Sequence, residues 1–159
     1  MTVRVQRGDA ACAAWAARVQ SDHYRKVECF DASFDAALER ALAGVTGHGA
    51  PFPSLWVAMR GDTRLGCMVC TDDGDSAARL KLVYVVPEAR GQGVAELLLN
   101  RVSDHAEANG CRLLRVSSFA EHGAARAFYA ARGFVCAPAG SVRAFGRTLS
   151  LEHWEKPLF

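Results

Sequence analysis

Residues 80–108, LKLVYVVPEARGQGVAELLLNRVSDHAEA, constrain this 159-residue chain more than any other stretch. Leu80, Leu82, Val83, Val85 and Val86 surround Tyr84 in a short β-branched run that reads as a buried strand, and Pro87 ends it because proline cannot donate to a ladder. Arg90-Gly91-Gln92-Gly93-Val94-Ala95 follows as a glycine-punctuated loop. Val94, Leu98 and Val102 then recur every four residues, with Leu97, Leu99 and Ala106 beside them, as the buried stripe of a helix that Asn109-Gly110 closes. A glycine loop at a helix start exposes unpaired N–H groups at the positive end of the dipole. Such a site predicts a bound phosphate.

The familiar nucleotide fingerprints do not fit. A Walker A loop needs a Gly-Lys pair, which the chain lacks, and the dinucleotide pattern that starts at Gly91 and Gly93 meets Glu96 where its third glycine belongs. Arg90, Gly93 and Ala95 instead spell Arg-x-x-Gly-x-Ala after a strand that ends in Val-Pro. A second block, RLLRVSSFAEHGAARAFYAARGF over 112–134, places Ala125, Tyr129, Gly133 and Phe134 in a strand-then-helix frame. Together the two blocks resemble the GNAT superfamily of acyl-CoA-dependent N-acyltransferases. The likeness extends through SAARLKLVYVVPEARGQG, Phe145-Gly146 and the closing LEHWEKPLF, which look like the acetyltransferase half of proteins fusing a MarR-type regulator to such a domain. HYRKVECFDASFDAAL is similar to their substrate-side helices, and no regulator domain is expected within this sequence.

This resemblance implies an α/β fold: a mixed, mostly antiparallel central sheet of about six to seven strands flanked by about four helices. It implies acetyl-CoA as cosubstrate, its pantetheine arm paired with main-chain groups of Val83, Tyr84 and Val85, and its pyrophosphate on the N–H groups of Arg90, Gly91, Gln92, Gly93, Val94, Ala95 and Glu96. A side chain at Gly91 or Gly93 would hold the phosphates off. His122 stands where many members carry asparagine and is placed at the cofactor. Tyr129 is the implied general acid toward the departing thiolate, the alternative being a helix tyrosine that packs beside Phe128.

Acyl transfer to an amine needs no protein nucleophile, because a thioester is already activated, and no GxSxG elbow is present. A main-chain N–H near Val85 would polarise the thioester carbonyl. The strand positions that carry a glutamate in some members hold Arg79 and Ser117, neither a base. Glu28, Asp31 and His23 near the first helices, and Glu152 and His153 near the end, remain open as proton acceptors. The acceptor is an amine, either small or on a peptide. The other functional class kept open is a module that binds acyl-CoA without turnover. Acylation of an aminoacyl-tRNA is a third reading, and would demand a basic rim.

The remaining chain fits one domain over 1–159, large enough to bury a core unaided. Nineteen basic and seventeen acidic residues give a net +2, with no concentrated basic patch, so no nucleic-acid partner is expected. The apolar run at 10–17 is too short to span a bilayer, and no membrane partner is expected. Six scattered cysteines without a secretory leader suggest reduced thiols and a cytoplasmic location, with a homodimer left open.

Cys67 and Cys70, three apart on a strand, would point to opposite faces as core residues rather than form a redox pair or half a zinc site. No metal is expected: HExxH is absent, the five histidines are dispersed, and Asp72-Asp73-Gly74-Asp75 lacks the glutamate of a calcium loop. A strand is predicted over 2–6 and helices over 11–20 and 34–42, with His23, Tyr24, Glu28, Asp31 and Asp35 between and around them. A loop is predicted over 46–53, a hairpin from 55–59 to 65–71, and final strands over 141–145 and 147–156.

Overall fold

A computed structural model describes residues 2–46 and 49–158. The order is β1 (Val3–Arg7), α1 (Ala10–Lys26), α2 (Ser33–Leu42), β2 (Ser54–Arg60), β3 (Thr63–Asp72), β4 (Ala77–Val85), α3 (Val94–Ala108), β5 (Leu113–Phe119), α4 (Gly123–Ala131), β6 (Val135–Ala144) and β7 (Arg147–Pro157). The seven strands form one sheet in the order β1-β2-β3-β4-β5-β7-β6. Only the β4–β5 pair is parallel. This is the expected α/β architecture, seven strands and four helices. Of the loop expected over 46–53, residues 47 and 48 lie outside the described residues.

Both sheet faces are covered, so β2 and β3 carry unbroken apolar runs over 55–59 and 65–70 rather than alternating. On one face Trp56, Met68, Cys70, Leu80 and Val116 pack against Leu98, Val102 and Ala106 of α3. On the other, Leu55, Val57, Cys67 and Val69 meet Cys12, Trp15 and Ala16 of α1. Cys67 and Cys70 therefore fall on opposite faces, as their spacing predicts, and burial pushes both thiols up to about 12.

The helices follow from their sequences. Asp9 caps α1 by accepting from the Cys12 N–H at 2.9 Å, and α1 then runs to Lys26, well past the expected end at Gln20. His23 and Tyr24 accordingly sit on its last turn instead of in a linker. In α3, Val94, Leu98, Leu99, Val102 and Ala106 are buried, but Leu97 is 42 % exposed because it lies off the stripe. Strand β6 begins at Val135, six residues before the expected start. Pro138 and Gly140 resemble breakers, but β6 is an edge strand, which tolerates proline, and its register shifts between Pro138 and Ser141.

Two departures from regularity shape the molecule. Strand β4 pairs with β5 only from Ala77 to Leu80, opposite Leu113–Val116; beyond that the strands part. The β3–β4 register shifts between Cys67 and Val69, and Leu82 there has a φ of 52°, a bulge that turns β4 away from β5. At the other end, the β6–β7 hairpin turns through Phe145 and Gly146, with φ of 55° and 81°, the left-handed pair that a two-residue hairpin loop requires. Its tip docks on the segment after α1, where the Asp31 N–H donates to the Phe145 carbonyl at 3.0 Å.

Candidate acetyl-transfer site

The parting of β4 and β5 opens a cleft with two chambers, about 570 Å³ and about 160 Å³. Tyr24, Val83, His122, Ala125 and Tyr129 line both. The larger chamber runs along β4 to the start of α3, past Arg90, Gly91, Gly93, Val94, Ala95 and Glu96. The smaller lies at the inner end, where Leu80 and Val116 bring the strands back together.

Main-chain direction along β4 is set by its partner. Leu65 accepts from the Val86 N–H at 2.9 Å and Tyr84 pairs with Cys67, so alternation turns the main-chain groups of Val83 and Val85 away from β3, into the cleft. The expectation for Tyr84 is thereby corrected. Its main chain faces β3, and what it presents to the cleft is its ring. The Val85 carbonyl already accepts from Arg90 Nε at 3.0 Å, which leaves the Val85 N–H as the donor on the cleft side.

The loop before α3 is built to keep its amides clear. Gly93 caps the helix with φ 80° and no side-chain hydrogen bond, and Gly91 has φ 76°. A Cβ at either glycine would meet no protein atom within 4 Å, so within the chain itself glycine is demanded by the left-handed backbone. Side chains of the loop are tied back: Gln92 donates to the Glu88 carbonyl at 3.1 Å and accepts from Arg60 at 3.0 Å, while the Arg90 guanidinium lies 5.7 Å from the Tyr84 ring centroid. Glu96 is paired with Arg132 at 3.2 Å, and that guanidinium covers the Phe128 ring at 4.1 Å. The first amides of α3 have no intrahelical acceptor and fit an anionic group such as a diphosphate.

Tyr129 is 3 % exposed, among Phe128, Phe134 and Trp154, and its ring also borders both chambers. Burial raises its pKa strongly, keeping the phenol protonated. Tyr24, on α1, is pushed up to about 12, first by burial and then by the charge of Glu28. His122 is the N-cap of α4 but makes no side-chain cap bond; its Nε2 lies 3.4 Å from Glu28 Oε1, a contact without hydrogen-bond geometry. Glu28 is held in turn by Arg147, whose Nη1 donates to its carboxylate at 3.1 Å and its carbonyl at 3.0 Å.

Of the five candidate proton acceptors, His23 and Glu28 line the cleft. The imidazole of His23 is held below its ordinary value by burial and then by the charges of Arg90 and His122, with Glu28 acting the other way. The other three are engaged elsewhere. Asp31 accepts from the Ser33 N–H, Glu152 is 5 % exposed and bonded to Arg126 at 2.8 Å, and His153 Nδ1 contacts Ser117 Oγ at 2.9 Å. Arg79 donates to that same hydroxyl and pairs with Asp73. Arg132 and Arg147 were not legible as site residues. A lone arginine has no periodic or spacing signature, and only folding brings Arg132 to the cleft and Arg147 to Glu28. Among the described residues no group of three or more His, Cys, Asp or Glu could hold a metal ion, and no helix is long and apolar enough to cross a membrane.

The fold has many known counterparts. One is yncA of Salmonella typhimurium, solved with its cofactor acetyl-CoA; it shares 19 % identity over 100 % of this chain and 95 % of its own, with a TM-score of 0.78. A GNAT-family acetyltransferase of Staphylococcus aureus matches at TM-score 0.81, with 14 % identity over 99 % of this chain and all of its own. The ribosomal-protein-alanine N-acetyltransferase of Brucella melitensis matches at 0.76, with 21 % identity over 98 % and 99 % of the two chains. A search of curated proteins by sequence finds no significant match. The family profile of the acetyltransferase (GNAT) domain matches residues 51–136, more than half of the sequence, from the approach to β2 through the start of β6. The chain belongs to the GNAT family of acetyltransferases.

Proposed function

We propose that this protein moves the acetyl group of acetyl-CoA to a primary amine by direct attack, without an acyl-enzyme. The observation that carries the reading is the continuity of one groove, from the Val85 N–H on the parted edge of β4 to the uncapped amides of α3. Acetyl-CoA supplies an acyl group already activated as a thioester; the nitrogen of the neutral amine forms a bond to the acyl carbon, the carbon–sulfur bond breaks, one proton leaves nitrogen and one reaches sulfur, and an amide and free thiol result. Amides from Arg90 to Glu96 hold the diphosphate. The Val83 and Val85 main chains align the pantetheine arm, and the Val85 N–H faces the thioester oxygen, a kind of donor worth about 3 kcal/mol in acyl transfer.

An alkyl ammonium with pKa near 10 must release a proton to attack at neutral pH, at a cost of roughly 4 kcal/mol. His23 and Glu28 are the bases the cleft offers. Tyr129 donates to the departing sulfur. Its raised pKa makes full proton transfer uphill, so its contribution is a hydrogen bond from a phenol that stays protonated across the working pH range. Six unpaired cysteines fit a reducing cytoplasm as the place of action.

Steady release of thiol from acetyl-CoA with a pooled panel of amines tests the reading. Tyr129→Phe is expected to lower kcat at least about tenfold while the Kd for acetyl-CoA moves less than about threefold. Acetyl-CoA bound without thiol release, under any amine, would point instead to an acyl-CoA-sensing module.

A further inference from the structure

The smaller chamber carries a specificity that the family assignment leaves open. Its wall is a tied cluster of rings: Tyr24 stacks on Phe30 at 5.3 Å and tilts against Phe34 at 4.8 Å, and Phe145 lies 4.9 Å from Phe30 and 5.1 Å from Phe34. Phe119 closes the side toward β5. Phe30 and Phe34 are buried, whereas Tyr24, Phe119 and Phe145 keep part of their surface open. Three half-covered aromatic rings give the cavity one apolar side on which a compact hydrophobic group can pack.

The polar side chains in the wall are Gln20, Lys81, Ser117, Ser118 and His122, with the hydroxyl-bearing rings of Tyr24 and Tyr129. Gln20, 1 % exposed, donates through Nε2 to the Leu82 carbonyl and to Cys67 Sγ, both at 3.4 Å. Lys81 is the charged residue at this wall, and no carboxylate lines the chamber among the described residues. A second ammonium group placed here would be desolvated without a counter-ion and beside a like charge.

Resting on the acetyl-transfer reading, we propose that the acceptor is a monoamine carrying one compact apolar group, an aromatic ring or a branched aliphatic chain. That group fills the smaller chamber, and the amine is directed to the boundary with the larger one at Tyr24, His122 and Tyr129. The volume of about 160 Å³ suits the size, since an apolar cavity of about 150 Å³ admits benzene. With no carboxylate in the smaller chamber among the described residues, a polyamine or aminoglycoside finds no counter-ion there for a second ammonium and is disfavoured against the apolar amines.

Thiol release from acetyl-CoA by the full chain, measured with phenethylamine, isoamylamine, spermidine and kanamycin, tests the class. The kcat/KM for phenethylamine or isoamylamine is expected to exceed that for either polycation at least about tenfold. Ser118→Asp, which adds a carboxylate to the wall, is expected to raise the spermidine-to-phenethylamine ratio about tenfold. Phe119→Ala, which widens the chamber, is expected to favour a naphthylethylamine over phenethylamine. Spermidine or kanamycin turned over as well as the apolar amines would overturn the class and leave the acetyltransferase reading standing. Binding of acetyl-CoA with no release under any of the four would overturn both.

Discussion

Gly93, at φ 80° on the cap of α3, shows how one residue serves both backbone and ligand. A Cβ there would strain a left-handed backbone by about 1–2 kcal/mol. It would also stand in the space before the first amides, where no protein atom competes. Gly93→Ala is therefore expected to lower Tm by a few degrees and to weaken acetyl-CoA binding at least about tenfold by calorimetry, a loss larger than the stability change alone would produce. His23 offers a second test at this scale. Burial, Arg90 and His122 depress its pKa below the ordinary value near 6.5, so between the folded value and 6.5 the unfolded chain binds more protons than the native one. Stability from this group is present above that window and is lost as pH falls through it. A histidine NMR titration should place the His23 midpoint below 6.5, and a midpoint above it would remove the imidazole as a neutral base at pH 7.

Among the elements, the strand–loop–helix unit of β4 and α3 was legible because its signals are local: Pro87 as terminator, Gly91 and Gly93 as left-handed positions, Val94, Leu98 and Val102 as a stripe. The bulge at Leu82 was not, since a leucine announces no positive φ. Nor was the company of His23 and Glu28 with Tyr129, which depends on the last turn of α1, written in polar residues, and on a hairpin tip over a hundred residues away. The opening between β4 and β5 also rests on Gly66, opposite Val85, where a Cβ would lie 2.8 Å from the Tyr84 carbonyl and 3.3 Å from Val85 Cγ2. Main chain cannot yield as a flexible side chain does. Gly66→Ala is expected to destabilise the fold by about 1–3 kcal/mol in urea unfolding and to reduce thiol release at saturating acetyl-CoA, because the Val85 N–H moves with β4.

For the whole molecule, a sheet covered on both faces gives a rigid frame around one deliberate gap. Core on the α3 face and core on the α1 face hold β4 from either side, and the β6–β7 hairpin, through Arg147 and Phe145, holds the end of α1 over the gap. A continuous groove along β4 to the start of α3 follows from that arrangement, and so does a small, partly aromatic chamber at its inner end. The most direct test is a crystal structure of the full chain with coenzyme A, supported by calorimetry. The diphosphate is predicted on the main-chain amides between Arg90 and Glu96, with the pantetheine beside Val83 and Val85. Coenzyme A that fails to bind, or that seats its diphosphate elsewhere on the molecule, would contradict the account.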